Sequence, residues 1–437
     1  METNSEEMTA NYQNWTGLQK NAFRFFFIFL STTSLFAYNI ISDLLLTFFT
    51  KMSYPEAHKA FGLLSKPLEW IDIHFFHIGY RAEKDYPFFT DGHYGWVVLL
   101  TLLFLSLAGS ILWAIADRKR VNYNKLHFWF RTYLAYYLFL AMIIYAIEKI
   151  IPVQMPYPNI TSLLRPLGDN NRFGLIWDFV GVSPPYSLFT GICELIASLM
   201  ILFRRTRVFG SLFMATVLTN VVCFNIFYGI IVKLASLQLL LTDLFLLAPY
   251  IPKLFRFFFY FQPVSLAEKP YTFITTWKKW LIMALLIVPA WETFYQIQKS
   301  VRLLRRNNNN RKQEQLYDVQ SFVNGKDTIQ PLITDTLRWK RFALTSYQGK
   351  KFAVIYHMMD RDQDWCSYQI DSSKRLITLI GQEDTTERFS FNFSEPGKNM
   401  LLLQGKWMGN DLHILLNKVE IDKMRLVSEK NTWIQNH

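Results

Sequence analysis

Two carboxylates stand where an apolar helix ordinarily carries none. Glu194 lies near the middle of the hydrophobic run 186–204, and Asp243 near the middle of the run 234–252. On insertion scales a charge at the bilayer centre costs about 2.5–3.5 kcal/mol, so the pair represents on the order of 5 kcal/mol if exposed to lipid. Such groups face the interior of a bundle, pair with each other, or change protonation state. More polar side chains accompany them: Glu148 and Lys149 near the end of the run 128–151, Lys233 at a break between two runs, and Asp43 in the first run. Asn39, Asn220 and Asn225 add amides, and Tyr228 adds a phenol. We take Glu148, Glu194, Asn225, Tyr228, Lys233 and Asp243 as candidate ligand-binding residues of a polar intramembrane pocket for a lipid or another small ligand. The same residues equally suit a structural polar network that joins helices, with Glu148 and Lys149 snorkelling to the interface.

Other chemistry is thinly represented. His74 and His77 are three apart, which on a helix places both on one face, and His58 and His93 lie in or beside the same connection. Metal or haem ligation would need a further ligand, and none stands at a matching spacing, so no metal centre is assigned. The three cysteines, Cys193, Cys223 and Cys366, form no CxxC. That disfavours thiol redox chemistry of the thioredoxin kind.

The elements that must position these groups are membrane helices. Half of the 437 residues are hydrophobic (51%) and 18% are charged, but the first two-thirds is a series of apolar runs and the last third reads as a soluble domain. Runs of about 20 apolar residues span a bilayer as helices, and about seven qualify: 22–50, 94–117, 128–151, 186–204, 208–232, 234–252 and 278–297. The break at Lys233 is the weakest division. The first run lacks a small-residue cleavage site and reads as a retained anchor. The formal net charge of +12 resides largely in clusters beside the runs, such as Asp117-Arg118-Lys119-Arg120 and Arg204-Arg205-Thr206-Arg207. This is the pattern of the positive-inside rule, and with no base-reading motif it excludes nucleic acid as a partner. The rule places the N-terminus in the cytoplasm and, after seven spans, the C-terminal domain on the outer side. The connection 51–93, with Trp70, Ile73, Phe75 and Phe76, reads as an interfacial segment. The proline-rich loop 152–185, with Arg165, Asp169, Arg172 and Asp178, is expected to be irregular and to roof the pocket.

Beyond a basic polar linker at 300–318, short alternating runs appear at Phe342–Leu344, Phe352–Tyr356, Leu376–Ile380, Phe389–Phe393, Met400–Leu403 and Leu412–Leu416. Gly405 to Asp411 supplies a tight turn. The spacing predicts an all-β antiparallel meander or barrel-like domain over 319–437, with Phe389, Phe391 and Phe393 on its core face. Isolated His357 and His413 have structural roles. The remaining divisions are an N-terminal membrane segment 1–127 with two spans, a four-helix core 128–258, and a connection with the last span at 259–299.

Within that core, Tyr186, Phe189, Thr190, Gly191 and Glu194 resemble the F-x-G-x-x-E start of a span in the DoxX-like membrane proteins. Arg204-Arg205-Thr206-Arg207 resembles the R-T-R connection that follows, and Asn225 to Leu234 resembles the N-x-x-Y…V-K-L segment before the next span. Thr432-Trp433-Ile434 is similar to a tryptophan-containing ending of the longer members. The same layout is distantly similar to the HTTM module of vitamin-K-dependent carboxylase relatives. The resemblance implies an accessory component of a redox or envelope-associated membrane system, with a quinone or a membrane redox protein as partner. The alternatives are a proton-coupled small-molecule transporter and a membrane enzyme acting on a lipid-like substrate, with Glu148 or Lys233 as acid or base.

Overall fold

The computed structural model describes residues 14–36, 65–84, 90–266, 278–347, 349–358, 363–382 and 386–428. They divide into two compact units. The first takes in the chain to Ile151 and from Leu188 to Gln298, and the second Pro152–Ser187 and Lys299 onward.

The first unit is helical. Its elements are α1 (Gly17–Phe36), α2 (His93–Ala116), α3 (Asn124–Ile150), and α4 (Pro184–Leu202), which begins in the second unit. They continue with α5 (Arg207–Phe227), α6 (Lys233–Leu247) and α7 (Ile251–Tyr260). The segment α8 (Lys278–Lys312) contributes residues to both units. Five helical stretches among the described residues are long and apolar enough to cross a membrane: α2, α3, α4, α5, and α6 continued through a 3-10 turn into α7. They coincide with the second to sixth expected spans. The count of seven is not shown. The first expected span is helical from Gly17 to Phe36 and its remainder, with Asn39 and Asp43, lies outside the described residues; the seventh falls within α8.

The break at Lys233 is a true reversal. Helix α5 stops at Phe227, Gly229 adopts φ +69°, and Ile230 N–H donates to the Asn225 carbonyl at 3.0 Å before α6 begins. Glycine takes that left-handed backbone without the strain a side chain would add, so Gly229 makes the turn and Lys233 opens the next helix. At the centre of the bundle is α3: 72% of its most apolar stretch is buried, against 22% for α2. Its buried face, with Leu134, Tyr137, Leu138, Ala141 and Met142, packs with Leu30, Ile201, Met214 and Leu239 of its neighbours.

Two basic connections and the end of α6 gather at one end of this bundle. Trp15 donates its indole N–H to Asn124 Oδ1 at 2.7 Å, and buried Arg24 reaches the Asp117 carbonyl at 3.2 Å and the Tyr123 hydroxyl at 3.0 Å. These bonds seat the start of α1 on the α2–α3 connection. Arg204, between α4 and α5, lies 4.6 Å over the Phe128 ring near the start of α3. Arg131 donates to the Leu246 carbonyl at 3.0 Å, near the end of α6.

The second unit is an antiparallel barrel. Strands β1 (Gln315–Asn324), β3 (Trp339–Tyr347), β4 (Lys350–His357), β5 (Gln363–Asp371), β6 (Leu376–Gly381), β7 (Arg388–Ser394), β8 (Met400–Trp407) and β9 (Asn410–Val419) follow one another as a meander. Pairing of β1 with β9 closes it, and the two-residue β2 (Asp327–Thr328) sits beside β1. Closure removes the open edges that would otherwise invite aggregation. The β8–β9 hairpin turns on Met408 and Gly409, both at positive φ (48° and 83°), as a two-residue turn matched to strand twist requires. Inside, Trp339 meets Trp407 edge-on at 5.4 Å and stacks on Phe342 at 5.9 Å. Phe391 is fully buried, with Phe389 and Phe393 packed against the same core.

Two expectations of domain layout change. The segment 300–318, read as a polar linker, is helical to Lys312 and enters β1 at Gln315. The proline-rich segment 152–185 belongs to the barrel's unit rather than to the helical core. It is also not irregular throughout: it forms helices at Ile160–Leu164 and Arg172–Gly181, N-capped by Asn159 and Asn171 side chains. Ile160 packs with Leu316, Ala343 and Val354 on the barrel exterior.

Cys366 reports on this core. It is buried, and desolvation, reinforced by the Asp364 and Glu387 charges, pushes its thiol up to about 11. Alkylation at pH 8 therefore requires the barrel to open. Removing a buried Phe side chain costs about 3–5 kcal/mol. In a C193A/C223A background, Phe391→Ala is expected to accelerate Cys366 alkylation on the order of a hundredfold, whereas Ile370→Ala, at an exposed position, leaves the rate unchanged.

Candidate functional site

Glu194 is positioned by a close helix crossing. A Cβ on Gly191, three residues earlier, would stand 2.8 Å from the Ile150 amide nitrogen and 2.9 Å from the Ala146 carbonyl. Glycine there lets α4 meet the last turn of α3, and that contact puts the Glu194 carboxylate against Lys149. The Lys149 ammonium donates a hydrogen bond to Glu194 Oε1 and forms an ion pair with it. The carboxylate is almost fully buried, and its second oxygen, Oε2, accepts no hydrogen bond among the described residues. One residue before Lys149, Glu148 Oε1 accepts a hydrogen bond at 2.6 Å from Gln296 Nε2 of α8, itself buried. Two adjacent residues of α3 thus tie that helix to α4 and to α8.

Lys233 is engaged elsewhere. Its ammonium lies 2.7 Å from Asp91 Oδ2, and the backbone N–H groups of Lys233 and Leu234 also donate to the Asp91 carboxylate, at 3.2 and 3.0 Å. Asp91, in the connection before α2, thereby satisfies the first N–H groups of α6 and offsets a lysine at the positive end of the helix dipole. This is an anchoring role, and it explains the lysine at a break between two apolar helices.

Asp243 is fully buried on α6. Its carboxylate faces the hydroxyl of Ser211 of α5, which is also buried. Asn225 is buried with its side-chain nitrogen unpaired, while Tyr228 is half-buried, edge-on to Phe224 at 5.9 Å. The hydrogen bonds therefore do not gather the six candidates into one cluster. They place Glu194 with Lys149 and Glu148 with Gln296 at the end of α3, Lys233 with Asp91 at the start of α6, and Asp243 beside Ser211 within the α5–α6 pair.

Sequence reasoning missed a further polar chain. Tyr137 donates to Gln238 Oε1 at 3.2 Å, and Gln238 Nε2 reaches Thr33 and Thr242 hydroxyls at 3.4 and 3.3 Å, joining α3, α6 and α1. All four side chains are buried. The available signal was a glutamine inside an apolar run, which costs less than a charge and so stands out less. Asp91 was missed because it lies in a connection, where a carboxylate is ordinary.

His74 is engaged by stacking. The His74 ring lies 4.4 Å from that of Trp70, with Nδ1 2.8 Å from the Trp70 carbonyl. Trp70, Ile73 and Phe75 are exposed, and Asp72 folds the chain by accepting three N–H bonds from Ile78, Gly79 and Tyr80. His58 lies outside the described residues. In the barrel, His357 pairs with Asp364 at 2.8 Å. The three cysteines are unpaired.

No family model matches the chain, and no solved structure matches it. An uncharacterized protein of Bacillus subtilis, YwoB, is 29% identical over 118 residues, which are 27% of this chain and 72% of that protein.

Removing one partner of a buried ion pair strands the other and costs about 3–5 kcal/mol, whereas replacing both by apolar groups of similar size is often neutral. Lys149→Met is therefore expected to lower the thermal stability of the detergent-solubilised protein, followed by size-exclusion fluorescence. The double variant Lys149→Met/Glu194→Leu should recover most of the loss. Equal destabilisation by the single and double variants would mean the pair is not formed.

Proposed function

We propose that the chain is a DoxX-like accessory component of a bacterial inner-membrane redox or envelope system, and that its helical unit binds a quinone. The observation that supports this reading is the Glu194 carboxylate: buried among apolar helices, tethered by Lys149 through one oxygen, and with the other oxygen free to accept. A quinol hydroxyl or a hydrated quinone head offers a donor to that oxygen. The surrounding apolar helices match an isoprenoid tail in character. The chain's own residues would bind and orient the ligand; its unpaired cysteines supply no dithiol for electron transfer, so oxidation and reduction would take place at the quinone and a partner protein. In this reading the basic end of the bundle faces the cytoplasm, and the barrel lies in the periplasm.

A second reading rests on Asp243. A carboxyl group buried inside a helix pair and facing a serine hydroxyl is the residue type that carries protons in transporters, and proton-coupled transport of a small molecule would use it. Proton uptake by vesicles that is abolished by Asp243→Asn but kept in Glu194→Gln would favour this reading over the first.

The quinone reading is tested by extracting the purified protein and quantifying bound quinones and phospholipids by mass spectrometry. We expect near-stoichiometric quinone with the wild-type protein and about a tenfold loss with Glu194→Gln at equal abundance. Quinone no higher than in an unrelated membrane protein prepared alike, or unchanged by the substitution, would contradict it; enrichment of a phospholipid alone would replace quinone with lipid as the ligand.

A further inference from the structure

The second unit contains a cavity that no sequence motif announced. It has a volume of about 440 Å³, within the roughly 300–1,000 Å³ of small-molecule sites. One wall is the last turns of α8, and the other is the proline-rich segment around Pro156-Tyr157-Pro158 and Trp177. Both walls, and Glu314 and Ser346 at the barrel, belong to the same compact unit.

The α8 wall follows helical spacing. Leu303, Asn307 and Asn310 lie at i, i+4 and i+7, with Leu304, Asn308 and Arg311 one residue on, and all six line the cavity. Asparagine is among the weaker helix formers because its side chain competes for backbone hydrogen bonds. A run of four of them is therefore a poor choice for helix stability, yet α8 continues through all four to Lys312. The side-chain amides of Asn307, Asn308 and Asn310 make no hydrogen bond among the described residues, although Asn307 and Asn310 are half-buried. On the opposite wall, Asn159 commits its Oδ1 to Ser162 and Thr161 and keeps its NH2 donors.

The aromatic groups are braced. Arg311 lies 4.0 Å over the Tyr157 ring, and Trp177 stacks on Phe173 at 4.3 Å. Charge balances: Arg306 and Arg311 are matched by Asp178 and Glu314. A phosphate or carboxylate ligand would meet two acids, and an ammonium two guanidinium groups. Uncommitted amides offer both a donor and an acceptor, as vicinal hydroxyls require, and aromatic side chains combine an apolar body with a polar tip. We propose that this cavity is a binding site for a neutral saccharide of about two sugar rings, its hydroxyls held by Asn307, Asn308 and Asn310 and its apolar C–H faces by Tyr157 and Trp177. The site is independent of the quinone reading, since it uses none of the same residues.

The test uses the full-length protein in nanodiscs free of sugar-based detergent. Saturation-transfer NMR and calorimetric titration would be run with N,N′-diacetylchitobiose, maltose and, as a zwitterionic control, the dipeptide Gly-Gly. The expected result is saturable binding of at least one disaccharide, weakened about tenfold or more by Asn307→Ala/Asn310→Ala. Those substitutions remove side chains with no partner and should leave the melting temperature unchanged. Arg341→Ala, on the barrel's Asp318 pair and not on the cavity, should not affect affinity. Absence of saturable disaccharide binding, equal binding by the double variant, or binding of Gly-Gly in preference to both sugars would overturn the proposal.

Discussion

Hydrocarbon offers no hydrogen-bond partners, so every polar side chain within the helical unit must be satisfied by the protein or carry the cost of going without. The Lys149–Glu194 pair is the sharpest expression of this constraint. It exists because Gly191 lets α4 approach the last turn of α3, and its ionic tie adds a specific partner to what would otherwise be non-directional contact. The same rule shapes the rest of the bundle. Tyr137, Gln238, Thr33 and Thr242 satisfy one another across three helices, and Asp91 closes the first turn of α6. Where no partner stands among the described residues, at Glu194 Oε2 and the Asn225 side-chain nitrogen, the unmet groups are the natural places to look for a ligand.

The barrel answers a different constraint. Its backbone groups pair around a closed meander, and its interior is filled by large aromatic side chains such as Trp339, Trp407 and Phe391. The segment between α3 and α4 packs through Ile160 against β1, β3 and β4, so a stretch separated from the barrel by more than a hundred residues of chain shares its unit. The cavity with its asparagine wall arises from this long-range pairing of two segments.

Much of this was legible in the sequence. Apolar runs mark the five helical stretches because burial in lipid leaves little compositional freedom, and the alternation in β6 to β9 follows from one face being core. The hairpin at Met408-Gly409 was visible as a tight turn. Strand β1 was not, because Asp318, Gln320 and Ser321 interrupt its apolar residues and a bulge between Val319 and Ser321 breaks the alternation. The asparagine run looked like a linker because its propensity is low, whereas α8 carries it to Lys312. Among the candidate site residues, burial of Glu194, Asn225 and Asp243 was readable from position alone. Partnership was not: Lys233 pairs with Asp91, 142 positions away, and no local pattern encodes that.

The central claim is that Glu194 meets the head of a ligand inside the membrane. It is tested most directly by infrared difference spectroscopy of the nanodisc-embedded protein with and without a short-chain menaquinone. The account predicts a ligand-induced change in a carboxyl or carboxylate band that disappears in Glu194→Gln and persists in Asp243→Asn. A band change that survives in Glu194→Gln, or that is lost only in Asp243→Asn, would contradict it.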